Sequence, residues 1–431
     1  MTNFDEVDFY LDPSVVDDPF PYYDHLRARC PVVHLPAHDV MAVTGYDEAL
    51  QVLRDHDTFS SANAVGGPFP GFSEAPEPSD DISDFLTEHR GELPMSEYMV
   101  TLDPPFHQSQ RSLVMRLLTP KRMRENEAFL YALADRQIDE FIGTGKVEML
   151  RGFGYPFALL AIADLLGVPD EDHREFRKQL GGLPTIDAGD APSEMTHDPL
   201  SYLQDKFAEY VEDRRREPRQ DVLTQMAVAT YADGSIPEVD SVCRMATFLF
   251  AAGQDTTARL ITAALRIIAD EPGVQAYLRA DAERIPNFVE EVLRYQGVVK
   301  HIGRVTRVPV TVGGVEMPAG TSVALFPQAA NRDPARFECP DEFRPDRPNA
   351  NDHLAFGRGI HACAGAPLAR VEVKVAIERF LARTSDICID EAHHGPPGDR
   401  RWEFEPIYIL HGIKELHLEV TPAPDGSGAA A

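Results

Sequence analysis

Residues Glu238–Asp270 form one long helical pattern, with Pro237 suited to its start and Glu271-Pro272 to its stop. At 1.5 Å per residue such a helix runs about 50 Å. Its segment Met245–Gly253 is apolar on nearly every face, so it must cross the protein interior rather than lie on the surface. A helix of that kind needs a large body of protein around it, and a chain of 431 residues can build one. No internal repeat and no Gly/Ser linker divides the sequence. We therefore expect one large domain over 19–420, an N-terminal extension over 1–18 and a disordered tail over 421–431.

Other helical patterns cover Pro120–Ile142, Phe157–Gly167, Pro286–Gln296 and Ala366–Ala382. Strand signals are fewer. Val308–Val312 and Val315–Met317 flank Gly313-Gly314 and read as a hairpin. Thr321–Phe326 reads as a strand, and Tyr408–Leu410 with Glu415–Val420 as a late β pair. Asn63–Pro94 is rich in Pro, Gly and acid and reads as a lid or binding loop. The fold class is mostly α with small β-sheets, α+β.

Charge removes several functions. The 41 Lys and Arg stand against 70 Asp and Glu, a net charge of −29, so no nucleic-acid partner is expected. Apolar runs fall well short of about 18 residues, and MTNFDEVDFYLDP has no basic or apolar leader region. Neither a membrane anchor nor a signal peptide is expected. The five cysteines are scattered, without CxxC spacing, which fits a reducing, cytoplasmic location.

Chemistry concentrates in Phe356-Gly357-Arg358-Gly359-Ile360-His361-Ala362-Cys363-Ala364-Gly365. Its glycines allow positive φ and close approach of the backbone to a flat object. A cysteine at the start of the Ala366–Ala382 helix faces amide N–H groups and the positive dipole end, which favour thiolate. A lone thiolate does not make a zinc site. It does suit the axial position of a haem iron. A second unusual stretch, Ala252-Gly253-Gln254-Asp255-Thr256-Thr257, interrupts the long apolar helix. It reads either as a kink, with Thr256 bonded back one turn, or as a groove that delivers protons.

Both stretches resemble motifs of the cytochrome P450 family: FGxGxHxCxG for its haem-binding loop and (A/G)Gx(D/E)T for its central helix. Six fixed positions in the first would match a chain of this length by chance with probability on the order of 10⁻⁶. The resemblance extends over about Pro19–Val420 and implies a P450 fold, with haem b between the long central helix and the Cys-loop helix. It implies Cys363 as iron ligand and Asp255 and Thr256 as the proton-delivery pair. Ala252, Gly253, Phe356, Gly357 and Gly365 would lie against the haem. His107, Arg111, Arg304 and His361 are similar to residues that hold haem propionates. Glu291 and Arg294 form an ExxR pair, and Arg347, in a partial match to the later motif, is the candidate third member of a structural network.

The activity implied is a haem-thiolate monooxygenase that inserts one atom of O2 into a C–H bond of a hydrophobic small molecule. Electrons would come from NAD(P)H through a separate ferredoxin and ferredoxin reductase, since this sequence has no flavin or ferredoxin segment. The family's substrate positions fall on the 63–94 loop, Phe248, Ala252, Val298, Val299, Ile409 and Leu410. Lys300 and His301 are polar where the family is often apolar, which suggests a polar substrate handle. Arg116, Arg122, Arg124, Arg358, Arg370 and Lys374 would flank the thiolate side as a patch for the acidic partner. A peroxide-driven peroxygenase, an oxygen-independent isomerase and a non-enzymatic haem carrier or sensor are the alternatives. The intact Asp255 and Thr256 speak against the first two.

Overall fold

A computed structural model describes residues 4, 7–10, 12–67, 71–74, 76, 79–115, 118–169, 171–180, 201–231, 234–407 and 409–424. The long helix spans Val239–Asp270 and runs through the middle of the molecule. It packs on Tyr155–Leu166, on Ser201–Arg216 and on the helix that follows Cys363, Ala366–Arg383. Its buried face is apolar for a simple reason: Ile261, Ala264, Leu265 and Ile268 meet Phe153, Phe157 and Phe380 in one core cluster. The charged pattern after Pro120 gives the helix Pro120–Asp139, capped by Thr119, whose hydroxyl accepts from the amide of Arg122. Ile285–Gln296 completes the central packing. Among the described residues no helix is long and apolar enough to cross a membrane.

The strands are β1 (Val32–Leu35), β2 (Val40–Val43), β3 (Phe59–Ser60), β4 (Lys146–Glu148), β5 (Ile302–Thr306), β6 (Val310–Val312), β7 (Val315–Met317), β8 (Ser322–Leu325), β9 (Thr384–Ile389) and β10 (His417–Pro422). Five of them form one sheet in the order β1-β2-β8-β5-β3, in which β2 and β8 run parallel and the other pairs antiparallel. β6 and β7 form the expected hairpin, and Gly313 and Gly314 take φ of 56° and 81° at its turn, a conformation side chains resist. The late β pair does not form. β10 lies between β9 and β4, while Leu410 makes only an isolated bridge to Val299. Ile409 and Leu410 instead line the cavity described below, Tyr408 lies outside the described residues, and β10 finds partners far away in sequence.

Two boundaries differ from expectation. Thr421 and Pro422 pair with β9, so ordered strand runs two residues beyond 420. At the other end, Phe9, Tyr10 and Val15 are buried in one cluster with Tyr22, Tyr23 and Phe326, so residues before 19 contribute to the core. The 63–94 segment includes a short helix, Ser83–His89.

Glu291, Arg294 and Arg347 meet in a fully buried ion network. Arg294 donates to both Glu291 oxygens at 2.7 and 2.8 Å, and Arg347 Nε lies 3.0 and 3.1 Å from them. The remaining guanidinium N–H groups donate to backbone carbonyls of Asn331, Glu338, Cys339, Pro340 and Glu342. This clamps the irregular 331–347 segment, which has little regular hydrogen bonding of its own. Removing one member strands a buried charge, which costs about 3–5 kcal/mol. We therefore expect Arg347→Ala to lose stability on that scale in urea titration; a loss under about 1 kcal/mol would show that the segment holds itself.

Candidate functional site

Cys363 sits on a loop whose shape its glycines permit. Gly357 and Gly359 have φ of 63° and 74°, and a Cβ on Gly359 would collide with the Leu53 carbonyl. The Cys363 amide donates to the Phe356 carbonyl at 2.8 Å. Arg370, on the next helix, lies 4.7 Å from the Phe356 ring centroid and pairs with Glu290. The thiol is accessible, but to an internal cavity rather than to the outer surface. Burial pushes its pKa up, and the amides of Gly365 and Ala366 with the charge of Arg111 offset this only in part. The lowered pKa expected from the helix start is therefore not realised. Desolvation outweighs the dipole here, and coordination to a metal is what would remove the proton.

The cavity measures about 790 Å³ and lies between the central helix and the Cys loop. Phe248, Ala252, Val298, Val299, Ile409 and Leu410 all line it, as do Ala64 and Val65 of the 63–94 segment. Gly253, Asp255, Thr256, Phe356, Gly357, Cys363 and Gly365 line it too. Met99, Val100, Leu249 and Leu293 add apolar wall that the sequence reading did not single out. They are ordinary core residues in sequence, and nothing marks them without the tertiary arrangement.

His107, Arg111, Arg304 and His361 converge on the same cavity. The rings of His107 and His361 lie 4.0 Å apart between centroids. Both ring nitrogens of His107 and Nε2 of His361 are buried without a protein partner. Arg304 is buried and donates to the Gly303 carbonyl. Burial lowers its pKa to about 10, lowers His107 to about 4 and lowers His361 to about 2, with the neighbouring cations adding to the effect on the two histidines. Such a group of donors without acceptors is costly unless a ligand answers it. Two carboxylates would do so through charge-assisted bonds. The donor set, the glycine-shaped loop and the single thiol together fit a haem.

On the central helix, Thr256 Oγ1 donates to the Ala252 carbonyl at 2.8 Å. Asp255 Oδ1 accepts from Tyr155 Oη and from Arg259 Nε, each at 2.9 Å. Arg259 stands one turn after Asp255 on the same helix, an i,i+4 spacing that the sequence offers and the sequence reading did not single out, whereas the Tyr155 contact forms only when helices meet. Glu372 is a further finding. It is fully buried on the Cys helix, lines the cavity and bonds to Thr257, and burial raises its carboxyl to about 8.

Lys300 does not reach the cavity. Its ammonium lies 5.3 Å from the Phe9 ring centroid and 3.4 Å from the Ile407 carbonyl, so the expected substrate contact is not made. Residues 299 and 301 line the cavity on either side of it, the alternation of an extended chain. His301 lines the cavity and bonds to the Gly66 carbonyl at 2.6 Å. Of the basic patch, Lys374 is paired with Glu127 and Glu378, and Arg370 with Glu290. Arg358 is half-buried and donates to the carbonyls of Gly357 and Asn351, while Arg124 is exposed and Arg122 half-buried. Arg116 lies outside the described residues.

Comparison with known proteins gives the class. The family model for Cytochrome P450 matches residues 193–388. Cytochrome P450 109 of Bacillus spizizenii is 32% identical over 410 residues, covering 94% of this chain and 92% of that protein. The substrate-free structure of Mycobacterium marinum cytochrome P450 CYP150A6 is 52% identical with a TM-score of 0.92, covering 98% of this chain and 100% of that one. CYP109E1 from Bacillus megaterium, in complex with corticosterone, is 26% identical with a TM-score of 0.78, covering 93% and 98%. The chain belongs to the cytochrome P450 family. It is a haem-thiolate monooxygenase, an oxidoreductase.

The raised Glu372 carboxyl has a testable sign. Its ordinary value is 4.5 and its folded value about 8. Between them the folded state holds a proton that the unfolded state has released, so stability falls as pH rises through this window. Glu372→Gln removes that slope. The unfolding free energy of the variant relative to the wild type, obtained from thermal melts, should rise steadily between pH about 5 and about 8, by up to about 1.4 kcal/mol per pH unit. Parallel pH profiles would mean that Glu372 is ionised in the fold.

Proposed function

We propose that this protein hydroxylates a C–H bond of a hydrophobic small molecule, with O2 as oxidant. The observation that carries this is the shared cavity: one thiol, a set of buried donors, an acid–alcohol pair and an apolar wall all face it. Haem bound there would supply dioxygen activation and the oxidation of carbon. Cys363 would hold its iron through the thiolate. His107, Arg111, Arg304 and His361 would hold its carboxylates. Gly253, Phe356, Gly357 and Gly365 would help hold it as part of the cavity wall.

The remaining work falls to the chain's own groups. Thr256 offers a hydroxyl inside the cavity, already bonded to the Ala252 carbonyl. Asp255 is the adjacent acid and would resupply protons to it. Phe248, Val298, Val299, Ile409 and Leu410 would seat the substrate and exclude water, since an apolar wall rewards an apolar ligand. CYP109E1, a relative of the same fold, is seen with corticosterone, and a compact, largely apolar polycyclic or aliphatic molecule suits this cavity as well. Electrons would arrive from NAD(P)H through a separate ferredoxin and its reductase. Arg122 and Arg124 are the cations best left to meet an acidic partner, because Arg370 and Lys374 are engaged in ion pairs.

Two substitutions test the reading. Cys363→His should abolish the red-shifted ferrous–CO band of thiolate ligation; an unchanged band would remove Cys363 as the ligand. Thr256→Ala should still bind ligands and consume NAD(P)H, while product per electron falls by about tenfold or more, since a positioned proton donor contributes roughly 10²–10⁴-fold to the step it serves. Full coupling in that variant would assign the protons to another group.

A further inference from the structure

Asp255 is held by a network that reaches well beyond the acid–alcohol pair. Its Oδ1 takes hydrogen bonds from Tyr155 Oη and Arg259 Nε, both at 2.9 Å. Arg259 Nη2 reaches Tyr155 Oη at 3.3 Å and also bonds Glu405 Oε2. The Arg259 side chain is 1% exposed, so its charge is spent almost wholly on these neighbours. Burial would lower its pKa, but Asp255, Tyr155 and Glu405 outweigh that and hold it up. Burial and the Asp255 charge raise the Tyr155 phenol, so it stays a donor.

The fold builds this arrangement deliberately from three distant segments. Glu405 is placed by its amide, which donates to the Gly412 carbonyl at 3.1 Å, beside the Phe404–Ile413 bridge. Gly412 itself lies against the guanidinium: a Cβ there would meet Arg259 Nη1 at 2.9 Å. Tyr155, Asp255, Glu405 and the 58%-exposed Arg151 line the same cavity as Thr256 and Cys363. The polar end of the cavity therefore lies against solvent-exposed protein.

We propose that Tyr155, Arg259 and Glu405 form a charge-sharing clamp that sets how firmly Asp255 is held, and so how readily it passes protons to Thr256. A buried guanidinium facing one carboxylate would lock it through charge-assisted bonds. Glu405 divides the attraction of the same guanidinium, which leaves Asp255 free to turn. These are positioning residues, and the proposal rests on the reading of Asp255 and Thr256 given above.

The holoprotein tests it in two ways. Glu405→Gln concentrates the Arg259 charge on Asp255. NAD(P)H-driven product per electron should fall several-fold and the solvent deuterium isotope effect should rise. The ferrous–CO band and ligand-induced spectral shifts should persist, and product formed with hydrogen peroxide, which brings its own protons, should stay at the wild-type level. Independently of activity, thermal unfolding of Asp255→Asn, Glu405→Gln and the double variant should show a loss in the double that exceeds the sum of the singles, because only the double leaves Arg259 with no carboxylate. Additive losses, or wild-type coupling and isotope effect in Glu405→Gln, would overturn the clamp. A wild-type protein without the thiolate CO band would instead refute the assignment of Cys363, and the unfolding comparison would still decide the clamp.

Discussion

A helix of 32 residues that passes through the interior has nowhere to hide a polar side chain in water. Around the cavity its polar residues find a partner or face the cavity itself. Thr256 bonds its own backbone, Asp255 is taken by Tyr155 and Arg259, and Thr257 meets Glu372. The chemistry of the site grows from this constraint. The apolar run before Gly253 and Asp255 makes the helix stay buried, and burial gives the few polar groups within it their strength.

Two buried clusters of charge show how structure and function divide. Glu291, Arg294 and Arg347 pair with one another and take part in seven backbone bonds, and none of them lines the cavity. That network is complete and has no capacity left for a ligand. His107, Arg304 and His361 are equally buried or nearly so, yet their donors outnumber the protein acceptors around them. An incomplete network inside a protein is costly, and the cost is recovered when an anionic ligand binds. The contrast is what supports the proposed reading of the second cluster as a ligand cradle.

The thiol illustrates how opposing effects act on one group. A helix start and nearby cations favour thiolate, and residues 363–370 contain both. The loop carries the sulfur so deep that desolvation prevails. Lys300 is a similar case. Its place between Val299 and His301 suggests a cavity contact, but the extended backbone turns alternate side chains apart, and Phe9 from the far end of the chain receives it.

The central helix, the Cys loop, the hairpin at Gly313-Gly314 and the adjacent polar residues Asp255 and Thr256 on the interior helix were legible in the sequence because each depends on neighbours within one or two turns: periodicity, glycine conformation, helix stops and short motif spacing. Tertiary structure alone decided that β10 pairs with β9 and β4, that Phe9 joins the core, and that Tyr155, Glu372 and Glu405 stand at the cavity. Those contacts join residues up to about 300 positions apart in sequence, and their energy depends on burial. Burial belongs to the assembled core and to no single stretch of chain.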